Sequence, residues 1–86
     1  MPQISRFFGI IISMFYDEHN PPHFHATYNE FEAEIGIKDL VIMEGQLPSR
    51  VLGLVIEWAS IHQSELFMNW ERMEKGEIIF KIEPLK

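Results

Sequence analysis

The first half of the chain alternates between hydrophobic and polar residues, and this period of two predicts β-strands. The β-rich part extends over residues 4–43. Its strand segments are Ile4 to Phe7, Ile10 to Tyr16, His23 to Tyr28, Phe31 to Gly36 and Leu40 to Met43. The second segment has hydrophobic residues on both faces, which is typical of a strand in the interior of a sheet.

The third and fourth segments predict a β-hairpin with a single register. A two-residue turn at residues 29–30 would place Phe24 opposite Ile35 and His25 opposite Glu34. The hydrophobic residues of both segments then share one face of the hairpin, and the polar residues share the other. Both patterns therefore require the same pairing.

In the second half the hydrophobic period changes to that of a helix. Hydrophobic residues from Val51 to Met73 recur at steps of three and four, which predicts one long helix, or two nearly collinear helices, over residues 48–75. A short terminal strand is predicted over residues 78–82. The predicted fold class is α+β, with a small antiparallel sheet and the long C-terminal helix packed on its apolar face. At this length we expect residues 1–86 to form a single domain.

The composition argues against several classes of protein. The chain has no cysteine and therefore no disulfide, and its longest apolar run is far shorter than a membrane-spanning helix. The net charge is −6, and the seven basic residues do not cluster, so autonomous nucleic-acid binding is disfavoured. We expect a cytoplasmic protein that associates with itself or with a small partner protein.

One segment concentrates the candidate chemistry. Three of the four histidines and two carboxylates lie in Asp17-Glu18-His19-Asn20-Pro21-Pro22-His23-Phe24-His25. His23 and His25 leave the same face of the predicted strand, the Pro-Pro step could hold His19 nearby, and Glu34 lies opposite in the hairpin. Three imidazoles and a carboxylate suit zinc or another divalent transition metal, so His19, His23 and His25 are candidate metal ligands.

Two metal-free interpretations also fit these residues. In the first, His25 and Glu34 form a cross-strand pair on a solvated face, and Asp17 holds the loop through backbone hydrogen bonds. In the second, His23 and His25 transfer protons while Arg6 binds an anion. The residue types alone do not choose among the three.

The predicted helix carries a further histidine on its apolar stripe. His62 is one turn from Trp58, on the side that the sheet should cover. We expect Trp58 to be a core residue and His62 to be a hydrogen-bonded core histidine, so neither belongs to the candidate site.

The His-Asn-Pro-Pro-His-x-His signature resembles that of the bacterial family known as domain of unknown function 4160. The aromatic pair Phe15-Tyr16 and the helix end near Asn69-Trp70 match the same family, and the resemblance extends over essentially the whole chain. It implies little biochemistry, because the family is uncharacterised. It does imply a context, since members lie beside small partner genes in toxin–antitoxin-like pairs.

These observations favour a binding or regulatory module over an enzyme. The histidine-rich sheet face would then be its contact surface, and the family context supplies a small partner protein. The alternative is a metal-dependent, zinc-type hydrolase or nuclease built on His19, His23 and His25, because a bound water ionises near neutral pH on such a metal.

Overall fold

A computed structural model describes residues 2–86, which form a five-stranded antiparallel sheet and two helices. The strands are β1 Gln3–Phe7, β2 Ile10–Ser13, β3 His23–Tyr28, β4 Phe31–Gly36 and β5 Ile42–Gln46. The helices are α1 Ser49–Ile61 and α2 Gln63–Glu74. The strands lie side by side in chain order. The α+β class and the antiparallel sheet predicted from the sequence are confirmed.

The β3–β4 hairpin has the register that the sequence predicts. Phe24 pairs with Ile35, and His25 pairs with Glu34. Asn29 in the turn has a φ of 52°, a left-handed conformation that asparagine adopts more readily than most residues with a side chain. Because side chains alternate along a strand, the two histidines of β3 leave it on the face opposite Phe24.

Of the two alternatives predicted over residues 48–75, one long helix is wrong, because the chain forms two helices separated at His62. His62 has φ −112° and ψ 24°, which are not helical values. The side chain of Gln63 donates hydrogen bonds to the carbonyl oxygens of Ile37 and Lys38, at 2.6 and 3.0 Å. These bonds fix the start of α2 against the β4–β5 connection. Neither helix has the length and apolar content that crossing a membrane requires.

The hydrophobic core lies on the apolar face of the sheet and includes buried residues of both helices. Trp58 is fully buried there, and its ring lies 5.5 Å from the ring of Phe7 and 5.9 Å from that of Phe24. The indole N–H is also paired, since it donates to the carbonyl oxygen of Glu83 at 2.8 Å. This one side chain therefore joins α1 to two strands and to the C-terminal segment.

The terminal strand predicted over residues 78–82 is wrong, because the backbone of this segment bonds to other partners. The side chain of Asn69 donates to the carbonyl oxygen of Phe80 at 2.8 Å and accepts from its N–H at 3.0 Å. A backbone bond from Ile82 to Ile4, at 2.8 Å, connects the segment to β1. A single bond of this kind does not make a strand ladder, so the segment stays irregular.

Candidate functional site

The connection between β2 and β3 brings a carboxylate onto the two histidines of β3. Oε1 of Glu18 lies 3.1 Å from Nε2 of His23 and 2.5 Å from Nε2 of His25. One possible ligand atom from each of these residues lies within 4.8 Å of the others. Asp17 has a φ of 68°, a left-handed conformation at the turn that precedes Glu18. We call Glu18, His23 and His25 the histidine cluster.

Hydrogen bonds at the far sides of the two rings orient the cluster. Nδ1 of His23 lies 2.9 Å from the carbonyl oxygen of Pro21, and Nδ1 of His25 lies 3.3 Å from Oε2 of Glu32. A neutral imidazole carries one N–H, and here the Nδ1 position faces an acceptor in both rings. Both Nε2 atoms face the Glu18 carboxylate, so each ring has an acceptor at both of its nitrogens. A proton or a metal ion on Nε2 provides the positive partner that this carboxylate requires.

The cluster is largely shielded from solvent. His23 and His25 are only 5% and 8% exposed. The ring of Phe15 contacts His25 edge-on at 4.5 Å, and the ring of Trp70 lies 5.3 Å from that of His23. The expectation that these histidines lie on a solvated face is therefore wrong. Groups that exclude water strengthen electrostatic interactions within such a site.

Three carboxylates surround the two rings. Within residues 2–86, each of these carboxylates forms ion pairs only with histidine. Glu18 contacts both rings, Glu32 contacts His25, and Oε1 of Glu34 lies 3.8 Å from Nε2 of His23. The hydrogen bond with His25 lowers the pKa of Glu18, although burial opposes this shift. The cluster is therefore negatively charged whenever the histidines are neutral, and it favours a bound cation.

A surface cleft of about 310 Å³ opens beside the cluster. Its walls combine acidic and apolar side chains, namely Phe15, Asp17, Glu18, Trp70, Met73 and Glu74. Glu18 belongs to the histidine cluster, and the ring of Trp70 lies beside that of His23. Both side chains also line the cleft, so the cleft gives access to the cluster from one side.

The other residues predicted for the site lie apart from the cluster. His19 is exposed and is not among the grouped ligand atoms, so the structure brings Glu18 to the histidines in its place. Asp17 is exposed at the cleft. Arg6 lies on β1 and lines a different groove, with Lys81 and Glu83.

His62 also lies outside the cluster. Its ring lies 5.5 Å from that of Trp58, tilted by 42°, and Nδ1 pairs with Glu65 at 2.5 Å. The side chain is 15% exposed, so it packs at the rim of the core.

Sequence reasoning missed the groups that hold the rings from behind. The carbonyl oxygen of Pro21 carries no signal in the sequence, since every residue has one. Glu32 lies diagonally across from His25 in the hairpin, and only long side chains reach that distance. The predicted register of the hairpin already makes Glu32 a diagonal neighbour of His25, so this contact could have been predicted from the sequence.

The fold and the cluster together define a small α+β domain with a buried site of two histidines and a carboxylate. Residues 9–71 match the family described as a domain of unknown function (DUF4160). Because the match covers well over half of the chain, the chain belongs to this family. No curated protein and no solved structure shows significant similarity to it.

Proposed function

We propose that this protein is a small binding module that holds one divalent transition-metal ion, such as zinc, at Glu18, His23 and His25. The observation that carries this proposal is the convergence of two Nε2 atoms and one carboxylate oxygen on the same point. Imidazole nitrogen and carboxylate oxygen are among the ordinary ligands of zinc in proteins.

The hydrogen bonds behind the rings support the same proposal. Histidines that bind a metal through one nitrogen usually donate the other N–H to a carboxylate or a backbone carbonyl. Both arrangements occur here, with Pro21 behind His23 and Glu32 behind His25. These partners orient the rings and select the tautomer whose Nε2 is free for the metal.

A metal at this position would regulate the surface around the cleft. It would join Glu18, in the β2–β3 connection, to the histidines of β3. The same connection is tied to the C-terminal segment, because the hydroxyl of Tyr16 donates to the carbonyl oxygen of Glu77 at 2.6 Å. Metal occupancy would thus fix the surface offered to a small partner protein or to a second copy of the chain, as in a toxin–antitoxin-like pair.

Competition between the metal-free protein and a chromophoric chelator for Zn²⁺ tests this proposal. We expect one equivalent of Zn²⁺ to bind the parent, and His25→Gln and Glu18→Gln to lose that binding. His62→Gln is the matched control, since it removes a histidine outside the cluster. Absence of binding to the parent, or equal binding by a folded Glu18→Gln protein, would contradict the proposal.

The second candidate is a metal-dependent hydrolase or nuclease on the same ligands. The observation in its favour is the cleft beside Glu18, which has room for water and a substrate. Asp17 and Glu74 make the walls acidic, which disfavours a phosphodiester and favours a neutral or cationic substrate. Hydrolysis of a neutral ester by the zinc-loaded parent, lost in His25→Gln and retained in His62→Gln, would support an enzyme.

A further inference from the structure

Glu34 lies within reach of the metal position and has no other assigned role. It faces His25 across the β3–β4 pair, and its Oε1 lies 3.8 Å from Nε2 of His23. Its side chain is only 32% exposed, much like that of Glu18 at 31%. A carboxylate that is two-thirds buried is stabilised by a positive partner.

We infer that Glu34 is the fourth protein ligand of the metal ion held by Glu18, His23 and His25. This inference rests on the proposed function. Zinc–nitrogen and zinc–oxygen bonds place neighbouring ligand atoms of a tetrahedral site about 3.4 Å apart. The distances from Nε2 of His23 to the oxygens of Glu18 and Glu34, 3.1 and 3.8 Å, lie on either side of that value. Nε2 of His25 is closer to Glu18, at 2.5 Å, and Glu34 is not among the ligand atoms that lie within 4.8 Å of one another, so the Glu34 side chain has to turn toward the cluster when the metal binds.

The third carboxylate of this face cannot take the same place. Glu32 contacts Nδ1 of His25, on the opposite side of the ring from the Nε2 that faces Glu18. It is therefore a positioning residue for that histidine. Two carboxylates and two neutral imidazoles also balance the charge of a divalent ion, which suits a shielded site.

A fourth protein ligand determines what the site can do. Structural zinc sites have four protein ligands, whereas catalytic sites keep one position open for water or substrate. Ligation by Glu34 closes the shell and links three parts of the fold: the β2–β3 connection, β3 and β4. The site then holds these parts together and has no position for hydrolysis, which separates the binding module from the enzyme.

Visible absorption of the Co²⁺-substituted protein tests this inference. Co²⁺ with four ligands in a tetrahedron absorbs much more strongly than Co²⁺ with five or six, so the spectrum reports the number of ligands. We expect the parent, Glu32→Gln and Glu44→Gln to give the strong tetrahedral spectrum at saturating Co²⁺. Glu34→Gln should lose it and should bind Zn²⁺ at least about tenfold more weakly.

Glu44→Gln is the matched control, because Glu44 pairs with Glu34 across β4 and β5, and its side chain is exposed. An unchanged Co²⁺ spectrum in Glu34→Gln would overturn the inference and leave the proposed metal site standing. Failure of the parent to bind Co²⁺ and Zn²⁺ would overturn the proposed function and the inference together.

Discussion

The side chain of Asn69 makes two hydrogen bonds with the backbone of Phe80, one as donor at 2.8 Å and one as acceptor at 3.0 Å. The amide thus substitutes for a neighbouring strand and satisfies both polar groups of one backbone residue. Asn69 itself is 2% exposed, so these bonds anchor the C-terminal segment to a buried position on α2.

Asn69→Ala should therefore lower the free energy of unfolding by about 1–3 kcal/mol, because it removes both hydrogen bonds that the buried Asn69 side chain makes with the backbone of Phe80. Urea denaturation followed by circular dichroism measures this loss. Ser60→Ala is the control: its hydroxyl bonds to the backbone on an exposed turn of α1, and we expect a change within about 0.5 kcal/mol. Equal stabilities of the two variants would mean that Asn69 does not anchor the C-terminal segment.

Gly45→Ala should lower the free energy of unfolding by at least about 2 kcal/mol. Gly45 has a φ of 81°, and a Cβ atom there would overlap the carbonyl oxygen of Glu32 on β4. Gly53→Ala is the matched control. Apart from its chain neighbours and the adjacent helix backbone, no atom lies within 4 Å of a Cβ built at Gly53, in the middle of α1, so alanine should be neutral or stabilise the protein by up to about 1 kcal/mol. Thermal unfolding of the pair measures both effects, and a stable Gly45→Ala protein would exclude the described β4–β5 pairing.

Trp58→Ala should cost about 3–5 kcal/mol, since it removes a fully buried ring from contact with Phe7 and Phe24. Met68 on α2 is 51% exposed, so Met68→Ala should change stability by no more than about 0.5 kcal/mol. Chemical denaturation of both variants measures the difference. Similar losses in the two would contradict the described packing of α1 on the sheet.

The β3–β4 hairpin could be predicted from the sequence because two independent patterns require one register. Apolar residues alternate in both strands, and Asn29 fits the turn between them. The position of the helix break at His62 could not be predicted, because the hydrophobic spacing continues through it. It coincides with side-chain bonds from Gln63 to a distant connection, and these bonds exist only in the folded chain.

The candidate site was predicted only in part, because one of its residues also depends on the path of the folded chain. Strand alternation alone puts His23 and His25 on one face, whereas the third residue of the histidine cluster depends on the path of the connection before β3. The left-handed backbone at Asp17 precedes Glu18, which reaches the cluster, and the adjacent His19 is exposed. The spacing of residues in the sequence cannot distinguish Glu18 from the adjacent His19 as the residue that reaches the cluster.

Glu32→Gln should weaken Zn²⁺ binding by about 10–100-fold, because it replaces the carboxylate behind Nδ1 of His25 with a weaker acceptor. Titration against a chromophoric chelator measures this affinity. Glu30→Gln, which makes the same charge change in the exposed turn of the hairpin, should leave the affinity unchanged. Equal affinities for the two variants would mean that Glu32 does not support the ring.

Nitrogen NMR of the four histidine rings tests the central claim most directly, since it reports each imidazole nitrogen separately. On addition of one equivalent of Zn²⁺ to the metal-free protein, we expect only the Nε2 signals of His23 and His25 to move to metal-bound positions. Their Nδ1 atoms should stay protonated, and the rings of His19 and His62 should not change. Spectra that stay the same, or metal-bound signals from His19, would contradict the assignment of Glu18, His23 and His25 as the metal site.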